Sequence, residues 1–198
     1  MGRTMTESRP SPRRLPLQCL GLLLLLAVSI LLLWQAGRHF GETLYPCKYS
    51  DLVEEAATAY DIPPSLVYAV IHTESKFQPD AHSSAGAMGL MQLTDETYQW
   101  ALQRAGQPTD SSASLFDPAV NIRYGTYVLS LLGEQFTNTE TVLAAYNAGQ
   151  GHVREWLDDP AYSADGETLD VIPYPETQEY VERVLSAREQ YQILYDLE

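Results

Sequence analysis

Glu74 has the surroundings best suited to proton transfer. It follows an apolar run, Ser65–Thr73, and lies three, four and seven residues after Ile71, Val70 and Val67. A helix through this stretch therefore carries the carboxyl on an inward-facing stripe. Pro63 or Pro64 can open that helix, and Pro79 biases Gln78 away from helical geometry, which sets Glu74 in the last turn. A helix C-terminus and burial both disfavour a negative charge. The expectation is a carboxyl that keeps its proton near neutral pH, as a general acid must. The competing reading is a solvated glutamate at a helix end, the commoner fate of this residue type.

Several elements must hold that group. A helix is expected from Asp51 through Tyr60, with Leu52, Val53, Ala56 and Ala59 inward. After the Glu74 helix, His82–Met88 is a Gly/Ser/Ala loop with side chains too small to pack as a strand or helix. Thr94 can cap a helix over Asp95–Arg104, and residues 107–116 read as a polar loop. Asp117-Pro118 is a strong helix start, with the run expected to reach about Phe136. Gly125 inside it costs about 1 kcal/mol relative to Ala, which points to close packing against another helix. Thr139–Ala148 follows with Gly149 as terminator, then a short helix over Val153–Leu157. The acidic loop Asp158–Asp170 precedes the last helix, Glu176–Leu197, whose inner face is Tyr180, Val181, Val184, Leu185, Tyr191 and Leu194. Strand signals are nearly absent, so the fold class is mostly α.

The N-terminus has a different character. Leu15–Trp34 is apolar but for a few small or polar residues and is long enough to cross a bilayer. Arg3, Arg9, Arg13 and Arg14 precede it against the single acid Glu7, which predicts a cytoplasmic N-terminus and an extracytoplasmic remainder. The expected organisation is a basic cytoplasmic segment 1–14, a single-pass membrane anchor 15–34, a linker 35–46 and a folded domain 47–198. A cleaved signal peptide is the alternative, but no small-residue cleavage pair follows the run. Cys19 lies within the membrane run and Cys47 beyond it, so the two cannot pair within one chain. From Gly41 onward 25 acidic side chains face 7 basic ones, a field that repels phosphate backbones and makes nucleic acid a poor partner. His72 and His82 form no ligand set with a cysteine, so no metal and no cofactor is implied.

Four stretches together carry a family resemblance: Glu74-Ser75-Lys76-Phe77, Gly86-Ala87-Met88-Gly89-Leu90-Met91-Gln92, Ala145-Tyr146-Asn147-Ala148-Gly149 and Ile172 through Val181. In this order and spacing, with Asp117-Pro118, Asn121-Ile122 and Gly125 between them, residues 47–195 resemble the soluble-lytic-transglycosylase (SLT) family, with its goose-type-lysozyme-like fold. The resemblance implies that domain 47–198 acts on peptidoglycan glycan strands, cleaving the β-1,4 bond between N-acetylmuramic acid and N-acetylglucosamine without water to leave a 1,6-anhydromuramoyl end. It aligns Glu74 with the single catalytic acid/base and Ser83 with the serine that helps hold the substrate's N-acetyl group. Met91 and Gln92 align with groove-lining residues, and Tyr146 with the tyrosine near the catalytic carboxyl. Asn147 shares that motif. Glu176 aligns with a glutamate of the groove, and Tyr180 with an aromatic near the site. Three positions depart from the family pattern: Gln178 stands where Arg is frequent, Gln150 where Pro commonly follows Ala-Gly, and Val128 where an aromatic is expected. All three lie beside the acid rather than at it, and bear on peptide-stem preference more than on catalysis.

The residues agree with that chemistry. Glycosidases ordinarily need two carboxylates, about 5–5.5 Å apart for retention or 6.5–9.5 Å for inversion. Ser83–Leu93, the loop expected to face Glu74, contains no acid; Asp80 and Asp95 are the nearest candidates for a second. An N-acetyl sugar brings its own nucleophile, the substrate-assisted exception to the two-acid rule. Other readings stand beside these roles. Met88 and Met91 suit core filling, Glu176 suits a first-turn acid against the helix dipole, and Tyr146 wants a partner for its hydroxyl, for which Glu74 is the candidate. Tyr98, Trp100 and Tyr174 could stack on sugar rings. A hydrolase of the same fold and a non-catalytic wall-binding scaffold remain as alternatives.

Overall fold

A computed structural model describes residues 17–197. The expectations for residues 1–16, including the basic segment and the start of the membrane run, lie outside the described residues. The chain divides into two units, one ending at Phe40 and one spanning Gly41 onward. The described residues of the first form a helix, α1, which runs Leu17–Leu44 and so ends within the second unit. It is long and apolar enough to cross a membrane, and Leu22, Leu24, Leu25, Leu26 and Leu31 to Leu33 along it are exposed. The helix continues through most of the stretch expected to be a linker, because 35–44 contains no proline and its two glycines meet no competing turn.

Among the described residues the second unit is built of helices, with one 3₁₀ turn: α2 (Ser50–Tyr60), α3 (Pro64–Ser75), α4 (Asp95–Arg104), the turn Ser112–Phe116, α5 (Pro118–Gly133), α6 (Thr139–Ala148), α7 (Gln150–Leu157) and α8 (Pro175–Tyr195). Side-chain caps set three of the seven helix starts from α2 to α8. The Thr94, Asp117 and Asn138 side chains accept from Thr97, Ala119 and Thr141 backbone N–H groups, satisfying donors that a helix start leaves unpaired. Asp51 sits in the first turn of α2 instead of capping it, and Ala57 rather than Ala59 faces inward. α5 ends three residues before Phe136, and α7 begins three residues before Val153.

α3 is the buried axis: Ser65 to Ile71 are all inaccessible. It packs chiefly against α8, while α2 packs on α5, and α6 sits between α5 and α8. One continuous apolar core results, with Val67, Ile71, Leu90, Leu129, Leu143, Val184 and Tyr191 fully enclosed. At the far end of α8 the Tyr191 and Tyr195 hydroxyls donate to the carbonyls of Pro46 (3.3 Å) and Tyr45 (2.8 Å). The chain that leaves α1 is thereby fastened to the last helix. Cys47 in this segment is a free thiol whose burial raises its pKa to about 11, so it is held as unreactive SH.

Candidate active site

α3 ends at Ser75, the residue after Glu74. Lys76 and Phe77 both adopt left-handed backbone (φ 52° and 62°), so the chain turns away from the helix axis before Pro79 is reached. Two consecutive non-glycine residues in this region are strained, and the strain lies beside the candidate acid. Glu74 is half-buried at the surface of the core. Burial raises its pKa from 4.5 to about 7, opposed by the Tyr180 hydroxyl and, more weakly, by the positive charge of Arg183. No second carboxylate contributes to that environment among the described residues. Asp95 instead accepts from Gln99 in the first turn of α4.

The loop after α3 is held by one side chain from each of three helices. Ser75, the neighbour of Glu74, donates to the Leu90 carbonyl at 2.7 Å. Asn121 of α5, fully buried, accepts from the Met91 N–H (2.7 Å) and donates to the carbonyls of Met88 and Leu115 (2.9 Å each). Tyr146 of α6 donates to the Met91 carbonyl at 2.8 Å. Within the loop, Met88 and Leu93 exchange backbone hydrogen bonds, and Ser83 Oγ accepts from the Ala87 N–H at 3.0 Å. Gly89 permits this fit: at φ 76° an added Cβ would lie 2.1 Å from the Leu115 carbonyl oxygen and 2.3 Å from Asn121 Nδ2.

Several residues therefore sit otherwise than expected. Met91 is inaccessible, with its sulfur against Gly125, so it fills core rather than lining a groove. The close packing at Gly125 is against this loop residue, not another helix. Gln92, at φ 49°, donates to the carbonyls of Gly89 (2.9 Å) and Ala81 (3.2 Å), so its amide braces the loop. Tyr146 gives its proton to Met91, not Glu74, though the Glu74 charge still acts on it. Tyr180 is the phenol that meets Glu74: its hydroxyl is buried, interacts with the carboxyl, and is in good hydrogen-bond geometry with no group. Ser83 is half-buried with its hydroxyl proton uncommitted to the backbone N–H it accepts.

α6 and α8 meet beside this group. Thr177, buried in the first turn of α8, donates to Asn147 Oδ1 at 2.8 Å, and both line a depression of about 390 Å³ with Tyr174 and the exposed Glu176. Ser75, Thr177 and the bracing role of Asn121 were not singled out from the sequence as site-forming. A small polar residue inside an otherwise apolar stripe was the available signal for the first two. Among the described residues no group of three or more His, Cys, Asp or Glu side chains could hold a metal ion.

Residues 51–168 match the family model described as the transglycosylase SLT domain. The chain belongs to that family. The matched span covers Glu74, the loop and α6, and ends before α8. The chain is 37% identical over 148 residues to the soluble lytic murein transglycosylase of Escherichia coli K12, covering 73% of this chain and 23% of that protein. It is 33% identical over 168 residues to the membrane-bound lytic murein transglycosylase C of Yersinia enterocolitica, covering 73% and 46%. The crystal structure of the 70 kDa soluble lytic transglycosylase from Escherichia coli is similar with a TM-score of 0.68 at 34% identity, over 77% of this chain and 25% of that one. The complex of the 70 kDa enzyme with bulgecin A gives 0.69 at 33% identity, with the same coverage. The chain thus spans about a quarter of the length of the soluble relatives it matches. The relatives share the mostly helical, lysozyme-like SLT fold.

Proposed function

We propose that this chain is a peptidoglycan lytic transglycosylase that α1 holds at a membrane as a single-pass anchor, with the domain from residue 47 onward on the extracytoplasmic side. The observation that carries the chemistry is one carboxyl, poised near pKa 7 by burial, on whose protonation no other carboxylate acts among the described residues. A group so poised gives a proton and takes one back at the same pH. Glu74 protonates the glycosidic oxygen between N-acetylmuramic acid and N-acetylglucosamine, while the substrate's 2-acetamido oxygen attacks C1. The Glu74 anion then takes the proton of the C6 hydroxyl as that oxygen closes the 1,6-anhydro ring and expels the acetamido oxygen. No water enters, and the enzyme ends as it began.

The other residues serve this sequence. Ser83 has a hydroxyl proton available for the acetamido group. Tyr180 steadies the transient Glu74 anion, and Arg183 adds a weaker favourable charge. Tyr146, Met91 and Gln92 act through the loop, by holding its backbone. Asn147 and Glu176 border the groove where α6 meets α8.

Digestion of purified peptidoglycan by the full chain in detergent, followed by mass analysis of the fragments, tests the reading. Anhydro ends, one water lighter than reducing ends, are expected, and Glu74→Gln abolishes release. Hydrated ends identify a hydrolase instead. Undiminished release by Glu74→Gln removes Glu74 from the mechanism, and binding without release by the wild type leaves a scaffold.

A further inference from the structure

A cavity of about 550 Å³ opens between α2, α4, α5 and the loop that follows α4, and neither Glu74 nor any residue assigned above to the glycan groove lines it. Its inner wall is apolar, with Ala56 and Leu102 buried and Val120 beside them. Three phenol rings stand around it: Tyr98 and Tyr124 meet edge to face at 5.1 Å, and Tyr60 leans on Tyr127 at 4.9 Å. Two opposite charges line it without pairing. Arg123 Nε donates to the Tyr60 hydroxyl at 3.3 Å, and among the described residues no carboxylate lies within ion-pair distance of the guanidinium. Acids outnumber bases in this domain 25 to 7, and Arg104 and Arg183 each find a glutamate, at 3.9 and 3.6 Å. Asp110 accepts from the Tyr98 hydroxyl at 2.9 Å and from the Ser111 N–H at 2.7 Å. A bond from the Ser114 hydroxyl, and then those two, hold its carboxyl below the usual carboxylate range, so it stays ionised. Glu55, exposed on α2, adds a second acid to the rim. Tyr124 is within reach of both signs: beyond the effect of burial, Arg123 lowers its pKa and Asp110 raises it.

From this arrangement we propose that the cavity binds a short zwitterionic peptide, its carboxylate on the Arg123 guanidinium, its ammonium group at Asp110 and Glu55, and its small side chains against Ala56 and Val120. With Nε engaged by Tyr60, the guanidinium keeps its two terminal nitrogens for a carboxylate. The phenol rings favour a cation beside Asp110 further. The volume falls within the range of ligand pockets, about 300–1,000 Å³, and leaves room for a peptide of a few residues. Charge decides the ligand class. A ligand bearing carboxylates alone is repelled by the acid surplus, and one bearing ammonium groups alone leaves Arg123 facing a like charge. A neutral sugar covers both charges without giving either a counter-ion. The required end groups occur on free short peptides and on uncrosslinked peptide stems of a glycan strand.

Calorimetric titration of the full chain in detergent with the dipeptide alanyl-alanine tests the site. Binding is expected, and N-acetyl-alanyl-alanine and alanyl-alanine amide, each lacking one charge, should bind about tenfold more weakly. Arg123→Gln should weaken dipeptide binding about tenfold and Asp110→Asn severalfold. Both residues are exposed, so melting temperature and peptidoglycan digestion should not change. Ala59→Trp, at the exposed rim, should block binding by filling the cavity. Glu74→Gln should bind the dipeptide as the wild type does, so failure of the glycan-cleavage reading leaves this test standing. A soluble muropeptide with an uncrosslinked stem, titrated alongside, separates the two sources. It binds more tightly than the dipeptide where stems are the ligand, and not at all where free peptides are. Absence of dipeptide binding, affinity unchanged in both Arg123→Gln and Asp110→Asn, or equal affinity for the charge-blocked forms overturns the site. Loss of dipeptide binding in Glu74→Gln does so too, since it places the peptide in the groove.

Discussion

Glu74→Gln should make the protein more stable above neutral pH, by an amount that disappears in acid. The carboxyl has a folded-state pKa near 7 against 4.5 unfolded, raised by burial. Between these two values the folded state keeps a proton that the unfolded chain has lost, so stability falls as pH rises through this window and stays low above it. At about 1.4 kcal/mol for each tenfold in proton affinity the full penalty is about 3 kcal/mol; solvent at the half-buried group reduces it to about 2–3 kcal/mol. Glutamine keeps the shape without the charge. For a domain of this size about 2–3 kcal/mol corresponds to roughly 5–10 °C in melting temperature. Thermal unfolding of wild type and Glu74→Gln in the same detergent, from pH 4 to pH 8.5, gives the difference directly. The two should coincide near pH 4, separate between pH 4.5 and 7, and stay apart above pH 7. A constant difference across that range refutes the protonated, buried carboxyl and the acid step built on it.

The remaining predictions concern what surrounds that carboxyl. Tyr180→Phe removes the hydroxyl that favours the Glu74 anion, so the alkaline limb of the rate–pH profile should move upward; because that hydroxyl makes no well-formed bond, melting temperature should change little. Asn121→Leu leaves the Met91 N–H and the Met88 and Leu115 carbonyls without their partner, which should cost about 2–4 kcal/mol in thermal unfolding and most of the activity. Gly89→Ala forces a Cβ into the Leu115 carbonyl and Asn121 and should yield a folded helical unit without turnover, or no soluble protein, by circular dichroism and digestion assay. Gly125→Ala meets Met91 first, its Sδ and Cε as well as its Cβ, and its loss of stability should be partly recovered by Met91→Ala in the same chain.

Periodicity and caps made the helices legible. Thr94, Asp117-Pro118 and Gly149 each mark a boundary by local chemistry, and the structure places helix ends at all three. The half-buried setting of Glu74 was legible for the same reason, since its apolar neighbours recur at helical spacing. The loop was not. Whether Met91 faces a groove or the core depends on Gly125, 34 residues on, having no side chain, and no local pattern encodes that. Likewise the partner of Tyr146 could not be read from its helix, because the nearest acceptor is a backbone carbonyl that turns inward only when Asn121 grips the same residue. The helical form of 35–44 was not legible either: Gly37 and Gly41 carry no helical signal, while the run of i to i−4 bonds continuing from the apolar stretch keeps the segment helical.

α8 joins distant duties on one rod. Tyr180 faces Glu74, while Tyr191 and Tyr195 hold the chain at Tyr45 and Pro46. Eleven residues separate Tyr180 from Tyr191, about 17 Å of helix. A single inserted or deleted residue between them turns one end about 100° relative to the other, so only one set of tyrosines could stay seated. Side chains on the outer face of this helix are free to drift over generations, but its length between these points is not, and frame-preserving insertions or deletions there should be purged from descendants of this sequence.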